Sequence, residues 1–257
     1  KACGSLPAAM RLFVERYGQE TLAEVRKKRK EDLMVALASY QFRKKTLFKS
    51  LAPDIQNDIR GFFGSYKAAN EACKDLLFAA GDPGELYLAI EELDYGWIDD
   101  REGHFTIHRS LLDQLPVILR VYIECGCLLY GNPHEADLIK IHIRSRKLTL
   151  IHYDDFDGKH LPELQLRIKI DLRNLFVNVF DYQYEEKTQI LFFRDRFVGP
   201  DHPALSKMQI FSKRLNKHGF QQDQLGSNDR NVPSKEQLSA ALNQLGLTWD
   251  LRVKTTK

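Results

Sequence analysis

The chain has 257 residues, enough to bury a substantial core in one large domain or in two smaller ones. Its 43% hydrophobic and 28% charged residues exclude a wholly disordered chain, and a net charge of +3 does not by itself indicate a polyanion partner. The four cysteines are too few for a disulfide framework. With no signal peptide and no apolar run of the roughly 20 residues that span a bilayer, we expect a cytoplasmic protein without a membrane partner.

The first half of the chain is predicted to be mainly helical. Apolar residues recur every three or four positions, most strongly through 53–81, where Pro53 suits a first helical turn and Gly81 suits a helix end. We therefore predict one long amphipathic helix there, and a hairpin over 96–108 that turns near Glu102 and Gly103. The predicted helices of this half are 8–18, 31–42, 53–81 and 110–131.

Beyond residue 131 the apolar residues alternate with polar ones, which is typical of strands that bury one face. The segment 164–172 has leucine and isoleucine on one side and Arg167 and Lys169 on the other, so we predict an antiparallel meander with a core face and a solvated, cationic face. The predicted strands are 137–144, 147–153, 164–172, 175–182 and 189–198.

The remaining segments complete an α+β prediction: an N-terminal helical region, then a mainly antiparallel sheet with flanking helices. A helix is expected after Pro203, a linker over 221–234, and then a short helix and a closing strand, 247–254. The predicted regions are 1–131, mainly helical with its hairpin; 132–220, sheet and helix packed with the first region as one unit; and 221–257, linker and small terminal elements.

Known catalytic signatures are missing from the sequence. It contains no GxGxxG, GxxxxGK[ST], GxSxG or HExxH pattern, so no nucleotide or zinc-protease site is predicted, and whether the chain is an enzyme stays open. Cys125 and Cys127 lie two apart on a predicted helix and point in different directions, which favours packing over metal binding. We assign no cofactor and no metal ligand to this chain from motifs.

The stretch "ADLIKIHIRSRKLTLIHYDDFDGKH" raises the sharpest question. Strand spacing puts Lys140, His142 and Arg144 on one face, and Asp155 and Asp157 follow in an acidic turn. Histidines beside carboxylates suit general acid–base chemistry or a divalent metal, and neighbouring cations suit phosphate. The alternative is a solvated strand face that ends in an Asp- and Gly-rich turn.

Two other short stretches have the same ambiguity. In "HFTIHRS", His108 and Arg109 precede a predicted helix with Ser110 as its N-cap, which is either simple capping or an anion site. In "GPDHPAL", Asp201 and His202 lie between prolines, and a rigid structural turn is the simpler interpretation.

A family pattern is carried by several stretches. The chain resembles the C-terminal half of DNA phosphorothioation-associated methyltransferases, over roughly residues 5 to 250. The stretches that carry it are "LAPDIQNDIRGFFGSYKAANEACKDLLFAAGDP", "TIHRSLLDQLPVILRVY", "ADLIKIH", "YDDFD" and "DYQYEEKTQILFFRDRFVGPDHPAL". The residues singled out are Gly64, Ser65, Tyr66, His108, Arg109, Ser110, Arg120, Tyr122, Lys140, His142, Tyr153, Asp155, Asp157, Asp181, Tyr182, Asp201, His202 and Pro203.

The resemblance implies a bacterial DNA-modification and phage-defence setting, with the methyl-donor site in an upstream part absent here. The lack of an initial Met fits a piece of a longer protein. The chain departs from the family pattern at "FFRD", 192–195, where a histidine is lost, and at His160, which lies one place away from the family's histidine. Both departures weaken any site built on these two histidines.

Three functional hypotheses follow. The first is a DNA-binding, target-recognition or regulatory half of a defence protein, whose phosphate-binding residues are Arg109, Lys140, Arg144, Arg167 and Lys169. The second is a metal-assisted nuclease or nucleotide-modifying enzyme, whose catalytic residues are Lys140, His142, Asp155 and Asp157. The third is a module that docks protein partners of a defence system.

Overall fold

The structure, a computed structural model, describes residues 5–42, 47–99, 103–183, 189–220, 235–244 and 246–251. The fold is α+β, as predicted, and the chain divides into two compact units, residues 1–80 and 81–257. The predicted linker 221–234, the turn residue Glu102 and the end of the predicted closing strand, 252–254, lie outside the described residues. No helix within the described ranges is both long and apolar enough to cross a membrane.

The first unit is helical. Its helices are α1 (Leu6–Tyr17), α2 (Gln19–Tyr40), α3 (Pro53–Phe63) and α4 (Tyr66–Ala80). The prediction of one helix over 53–81 was wrong, because the chain breaks at Gly64, whose φ is +72°, and Ser65 then accepts the backbone N–H of Ala68 at 3.1 Å. Apolar residues keep their helical spacing on both sides of Gly64, so this spacing alone did not reveal the break.

The second unit contains a six-stranded antiparallel sheet in which every strand pairs with its neighbour in sequence. The strands are β1 (Trp97–Asp99), β2 (His104–His108), β3 (Leu138–His142), β4 (Lys147–Tyr153), β5 (Leu164–Asp171) and β6 (Phe176–Asp181). The predicted hairpin and four of the predicted strands are confirmed. The predicted strand 189–198 was wrong: a single bridge joins Ile190 to Glu163, and a left-handed Phe193 (φ 51°) leads into a 3₁₀ helix, Arg194–Phe197.

The two faces of the sheet differ in chemistry. Residues that pair across strands share a face, so one face carries only apolar side chains along its centre, including Phe105, Ile139, Leu148 and Ile168. The helices before and after the β1–β2 hairpin are α5 (Pro83–Glu91) and α6 (Val117–Cys127). Helix α6 packs closely on β4, since a Cβ added at Gly126 would lie 2.5 Å from Leu148 Cδ2.

The opposite face is polar but largely covered. On it lie His104, Thr106, Lys140, His142, Thr149 and Lys169. His104, Thr106 and Thr149 are buried, and Lys140 is only 9% exposed. The sequence predicted a solvated face here, and this was wrong for its central strands.

Two further helices, α7 (Leu205–Lys217) and α8 (Lys235–Gln244), lie in the predicted places. Leu215 and Leu242 belong to one buried cluster with Phe192 and Phe211. The described part of the predicted closing strand, 247–251, is not a strand. The predicted helix over 110–131 begins late, because a 3₁₀ helix, Arg109–Gln114, and then Pro116 precede α6.

Candidate functional site

The residues predicted to be catalytic fall into two places. Lys140 and His142 lie on the polar sheet face, where His142 Nε2 is 3.0 Å from Thr149 Oγ1. Asp155 and Asp157 lie in the loop after β4, 154–163. Because His142 pairs with His104, it lies four residues along β2 from His108, which is about 13 Å.

The predicted phosphate-binding residues are also spread out. Arg144 is exposed in the β3–β4 turn, next to Gly103. Arg167 is only 6% exposed, donates to Gln189 Oε1 at 2.8 Å, and lies over the ring of Tyr182. The ammonium of Lys169 lies over the Phe180 ring, 5.4 Å from its centroid. These contacts hold the β5 cations close to the protein surface rather than extending them into solvent.

The three aspartates of the acidic loop make different contacts. Asp154 accepts the backbone N–H of Glu163 at 2.9 Å and pairs with Lys159. Asp155 accepts the N–H of Gly158 at 2.8 Å, and this approach is so close that a Cβ at Gly158 would clash with the carboxylate. Both therefore shape the turn, as the structural interpretation of the sequence proposed. Asp157, with a 48% exposed side chain, is the carboxylate that turns toward histidines.

The structure brings Asp157 together with His108 and His202. One ligand atom from each of these residues lies within 4.8 Å of the other two, and His202 Nε2 lies 3.3 Å from Asp157 Oδ1. The two imidazole rings meet edge to face, with centroids 5.0 Å apart. The cluster lies within the second unit, at the end of β2 that leads into the 3₁₀ helix Arg109–Gln114.

His108 is a buried strand residue, and only one of its two ring nitrogens, Nδ1, has a hydrogen-bond partner among the described residues. It is 2% exposed, and its ring stacks on Phe156 at 4.7 Å. Nδ1 lies 2.9 Å from Ser110 Oγ and accepts the Ser110 N–H at 3.3 Å, so His108 caps the 3₁₀ helix and the prediction of Ser110 as the cap was wrong. Nε2 has no hydrogen-bond partner among the described residues. Burial, then the proximity of His202, lowers the pKa of His108 to about 4, so the ring is neutral at pH 7.

His202 is positioned by the turn between two prolines. A Cβ at Gly199 would lie 2.7 Å from Leu111 Cδ2, so only glycine lets this turn approach the 3₁₀ helix Arg109–Gln114 so closely. The N–H of Ala204 donates to His202 Nδ1 at 3.3 Å. With Nδ1 accepting, the proton of neutral His202 lies on Nε2, where it can be donated to Asp157.

Two arginines flank the cluster. Arg109 donates to Asp137 Oδ1 at 2.9 Å, and its other terminal nitrogen lies 4.0 Å from Asp157 Oδ2. Asp137 is itself fixed by the N–H of Tyr153 at 2.7 Å. The buried Arg194 donates to the backbone carbonyl of Phe156, and burial lowers its pKa while the nearby aspartates oppose this shift. One carboxylate thus lies among two imidazole rings and two guanidinium groups.

Two imidazoles and a carboxylate are a donor set for a divalent transition-metal ion. Tetrahedral coordination at about 2.0–2.1 Å separates ligand atoms by about 3.3 Å, which the His202–Asp157 distance matches. Ser110 Oγ can accept a proton held on His108 Nδ1, as the second shell of a metal ligand does. A backbone N–H points at Nδ1 of both rings at 3.3 Å, from Ser110 to His108 and from Ala204 to His202, so either ring must give up this contact to carry the proton there. Only His108 has an acceptor for that proton beside it, Ser110 Oγ.

No family model, curated protein or solved structure matches this chain. The resemblance to methyltransferases associated with DNA phosphorothioation therefore stays a prediction. Its stretches contain His108, Asp157 and His202.

Sequence reasoning named all three residues of the cluster but did not unite them. Asp157 was predicted to be catalytic, whereas His108 was assigned to a helix start and His202 to a structural turn. The missed signal was the strand register. His108 ends β2 on the polar sheet face and pairs with Leu138 of β3, and Leu138 pairs with Ile151 of β4, the strand that leads into the acidic loop. Only the pairing of β2 with β3 brings that histidine to the loop.

Proposed function

We propose that the second unit binds a divalent transition-metal ion at His108, Asp157 and His202, and that it hydrolyses a phosphate ester there. The observation that carries the proposal is the buried Nε2 of His108, which has no hydrogen-bond partner among the described residues although a carboxylate and a second histidine lie beside it. Buried polar atoms are rarely left in this state unless a ligand or an ordered water satisfies them. An ion at this position would satisfy all three side chains at once.

Phosphate is the substrate chemistry that the surroundings favour. A divalent ion with one carboxylate leaves a net positive centre, and Arg109 next to it is about one-third exposed and already oriented by Asp137. An arginine fixed in this way can bind two oxygens of a phosphoryl group and neutralise the charge that develops on them. When bound, the ion would supply Lewis-acid polarisation and a water of lowered pKa.

Nucleic acid is the first substrate class to examine, and the DNA-modification setting implied by the resemblance supports this choice. The oxygen of water would bond to phosphorus while the phosphorus–oxygen bond to the leaving sugar breaks, and the leaving oxygen would take up a proton. DNA binding without turnover is the second candidate. The predicted phosphate-binding residues Arg109, Arg144 and Lys169 favour it, because their side chains are at least partly exposed.

The decisive experiment is calorimetric titration of the chain with Mn²⁺ and Zn²⁺, followed by assays on bis(p-nitrophenyl) phosphate and on single- and double-stranded DNA. His108→Gln and Asp157→Asn should each lower metal affinity by about 100-fold or more, since each removes one of three ligands. His202→Gln should have a smaller effect, because only His108 has an acceptor, Ser110 Oγ, for the proton that Nδ1 must carry when Nε2 binds the ion. The exposed His134 provides the control variant His134→Gln.

Wild-type protein that binds neither ion would overturn the metal site. Binding without metal-dependent cleavage of any substrate would overturn the hydrolase. If such a protein still retards DNA on a gel, and the retardation weakens steeply as salt rises, the second candidate is supported instead.

A further inference from the structure

The edge strand β6 exposes apolar residues on both of its sides. It is the last strand of the sheet, and no strand of the described ranges pairs with its outer edge. Phe176 and Phe180 are 58% and 40% exposed on one face, and Val179 is 50% exposed on the other. Natural proteins usually protect an edge strand with charges, proline or a bulge. Between Phe176 and Phe180 this strand has none of these.

The sequence of β6 is symmetric about its middle. It is Phe-Val-Asn-Val-Phe, with Asn178 at the centre. If two copies pair antiparallel with Asn178 opposite Asn178, then Phe176 lies opposite Phe180, and Val177 lies opposite Val179, on both sides of the axis. Aromatic and β-branched cross-strand pairs are the favourable ones, and paired asparagine side chains can both donate and accept.

The charges at the ends of β6 fit the same arrangement. Arg173 precedes the strand and Asp181 ends it, and both are exposed. In the register centred on Asn178, Asp181 lies opposite Leu175 of the second copy, and Arg173 lies two residues further along on the same face, a diagonal position that a long side chain can reach.

We propose that this chain forms a homodimer in which β6 pairs with β6 of a second copy, in the register centred on Asn178, so that the two sheets become continuous. A twofold axis of this kind uses the same surface on both copies and closes the assembly at two. The proposal is independent of the metal site, and either one can fail without the other.

Disulfide trapping tests the register directly. Opposite residues of antiparallel strands have Cα atoms about 4.5–5.5 Å apart, within the range that a disulfide can bridge. Asn178→Cys should therefore form a covalent dimer on mild oxidation. Val179→Cys should not, because the two Val179 positions would lie about 8 Å apart. Burial raises the pKa of Cys73 and Cys125 to about 11 and that of Cys127 to about 12, which disfavours their thiolate forms at pH 8. The fourth cysteine is removed by using a Cys3→Ser background for all variants.

Light scattering on unmodified protein completes the test. Wild type should shift from monomer to dimer as its concentration rises. Phe180→Glu should stay monomeric over the same range, because it sets a charge opposite Phe176. Ile210, 53% exposed on α7, provides matched surface controls: Ile210→Glu should dimerise as wild type does, and Ile210→Cys should not cross-link.

Four results would overturn the proposal. The first is a monomer at every concentration, and the second is cross-linking of Val179→Cys in preference to Asn178→Cys. The third is a dimer that Phe180→Glu leaves intact. A monomeric wild type that captures a different protein through β6 would also contradict it, since the strand would then serve another partner.

Discussion

Two pairs of histidines lie at opposite ends of β2, and their neighbours give them different chemistry. His104, His108 and His142 lie on the polar sheet face, and His202 approaches His108 from the turn before α7. His108 and His202 meet at the end of β2 beside Asp157. His104 and His142 pair at the other end of β2, with ring centroids 5.8 Å apart. Burial lowers the pKa of His108 to about 4 and the pKa of both His104 and His142 to about 3, so burial alone does not distinguish the two pairs.

The difference is the charge that surrounds each pair. Lys140 contributes to the lowered pKa of both His104 and His142, with Arg196 acting on the first and Lys169 and Lys147 on the second. A cation entering among these groups would be repelled, whereas Asp157 attracts one to His108 and His202. Histidine spacing on a strand therefore does not identify a metal site; the sign of the nearest fixed charge does.

The largest expected effect concerns acid stability, which the His104–His142 pair should dominate. The pKa values of these two rings in the folded protein, about 3, lie below the ordinary value of 6.5, so the unfolded chain binds protons first as the pH falls. Their contribution to stability is complete above pH 6.5 and is lost progressively between pH 6.5 and 3. Within this window each ring contributes a slope of about 1.4 kcal/mol per pH unit.

Urea unfolding at pH 7, 5.5 and 4.5 measures this slope. His142→Gln should flatten it by about one histidine's share, because glutamine keeps a polar partner for Thr149 but takes up no proton. His134→Gln, a change at an exposed ring, should leave the slope unaltered. Equal slopes in wild type and His142→Gln would show that the pKa of His142 is not lowered in the folded protein.

A smaller effect is expected on the metal affinity of the His108–His202 pair when the hydroxyl beside His108 is removed. Ser110→Ala removes the hydroxyl that lies 2.9 Å from His108 Nδ1, and with it the group that can accept the proton once Nε2 binds metal. Loss of such a second-shell partner costs about 10-fold in metal affinity. Titration with Mn²⁺ measures it, with Ser145→Ala in the exposed β3–β4 turn as control. Unchanged affinity in Ser110→Ala would argue that His108 is not a ligand.

The fold was largely predictable from the sequence because it depends on local patterns. Alternation located β3 to β6, and turn residues located the β1–β2 hairpin. The break at Gly64 and the left-handed Phe193 were missed, since neither disturbs the apolar spacing around it. Asp157 was predicted to be catalytic because the sequence places carboxylates close to histidines, a combination that suits acid–base chemistry or metal binding. Its true partners, His108 and His202, lie 49 residues before it and 45 after it, and only strand pairing and the close approach at Gly199 unite them.

The smallest expected effect is that of Lys140→Met on metal binding and turnover, and it distinguishes the His104–His142 pair from the His108–His202 pair. The sequence suggested that Lys140 is catalytic, yet it acts on the pKa of His104 and His142 and is absent from the groups that shift the pKa of His108. We expect Lys140→Met to leave Mn²⁺ affinity and phosphodiester turnover within about 2-fold of wild type, because Coulomb interactions weaken with distance and screening. It should also raise the pKa of His142 by removing a repelling charge, which proton NMR of the ring can follow. If turnover instead falls 100-fold in a folded Lys140→Met protein, the reactive centre lies at the His104–His142 end of β2, and the metal site at His108 is not where the chemistry occurs.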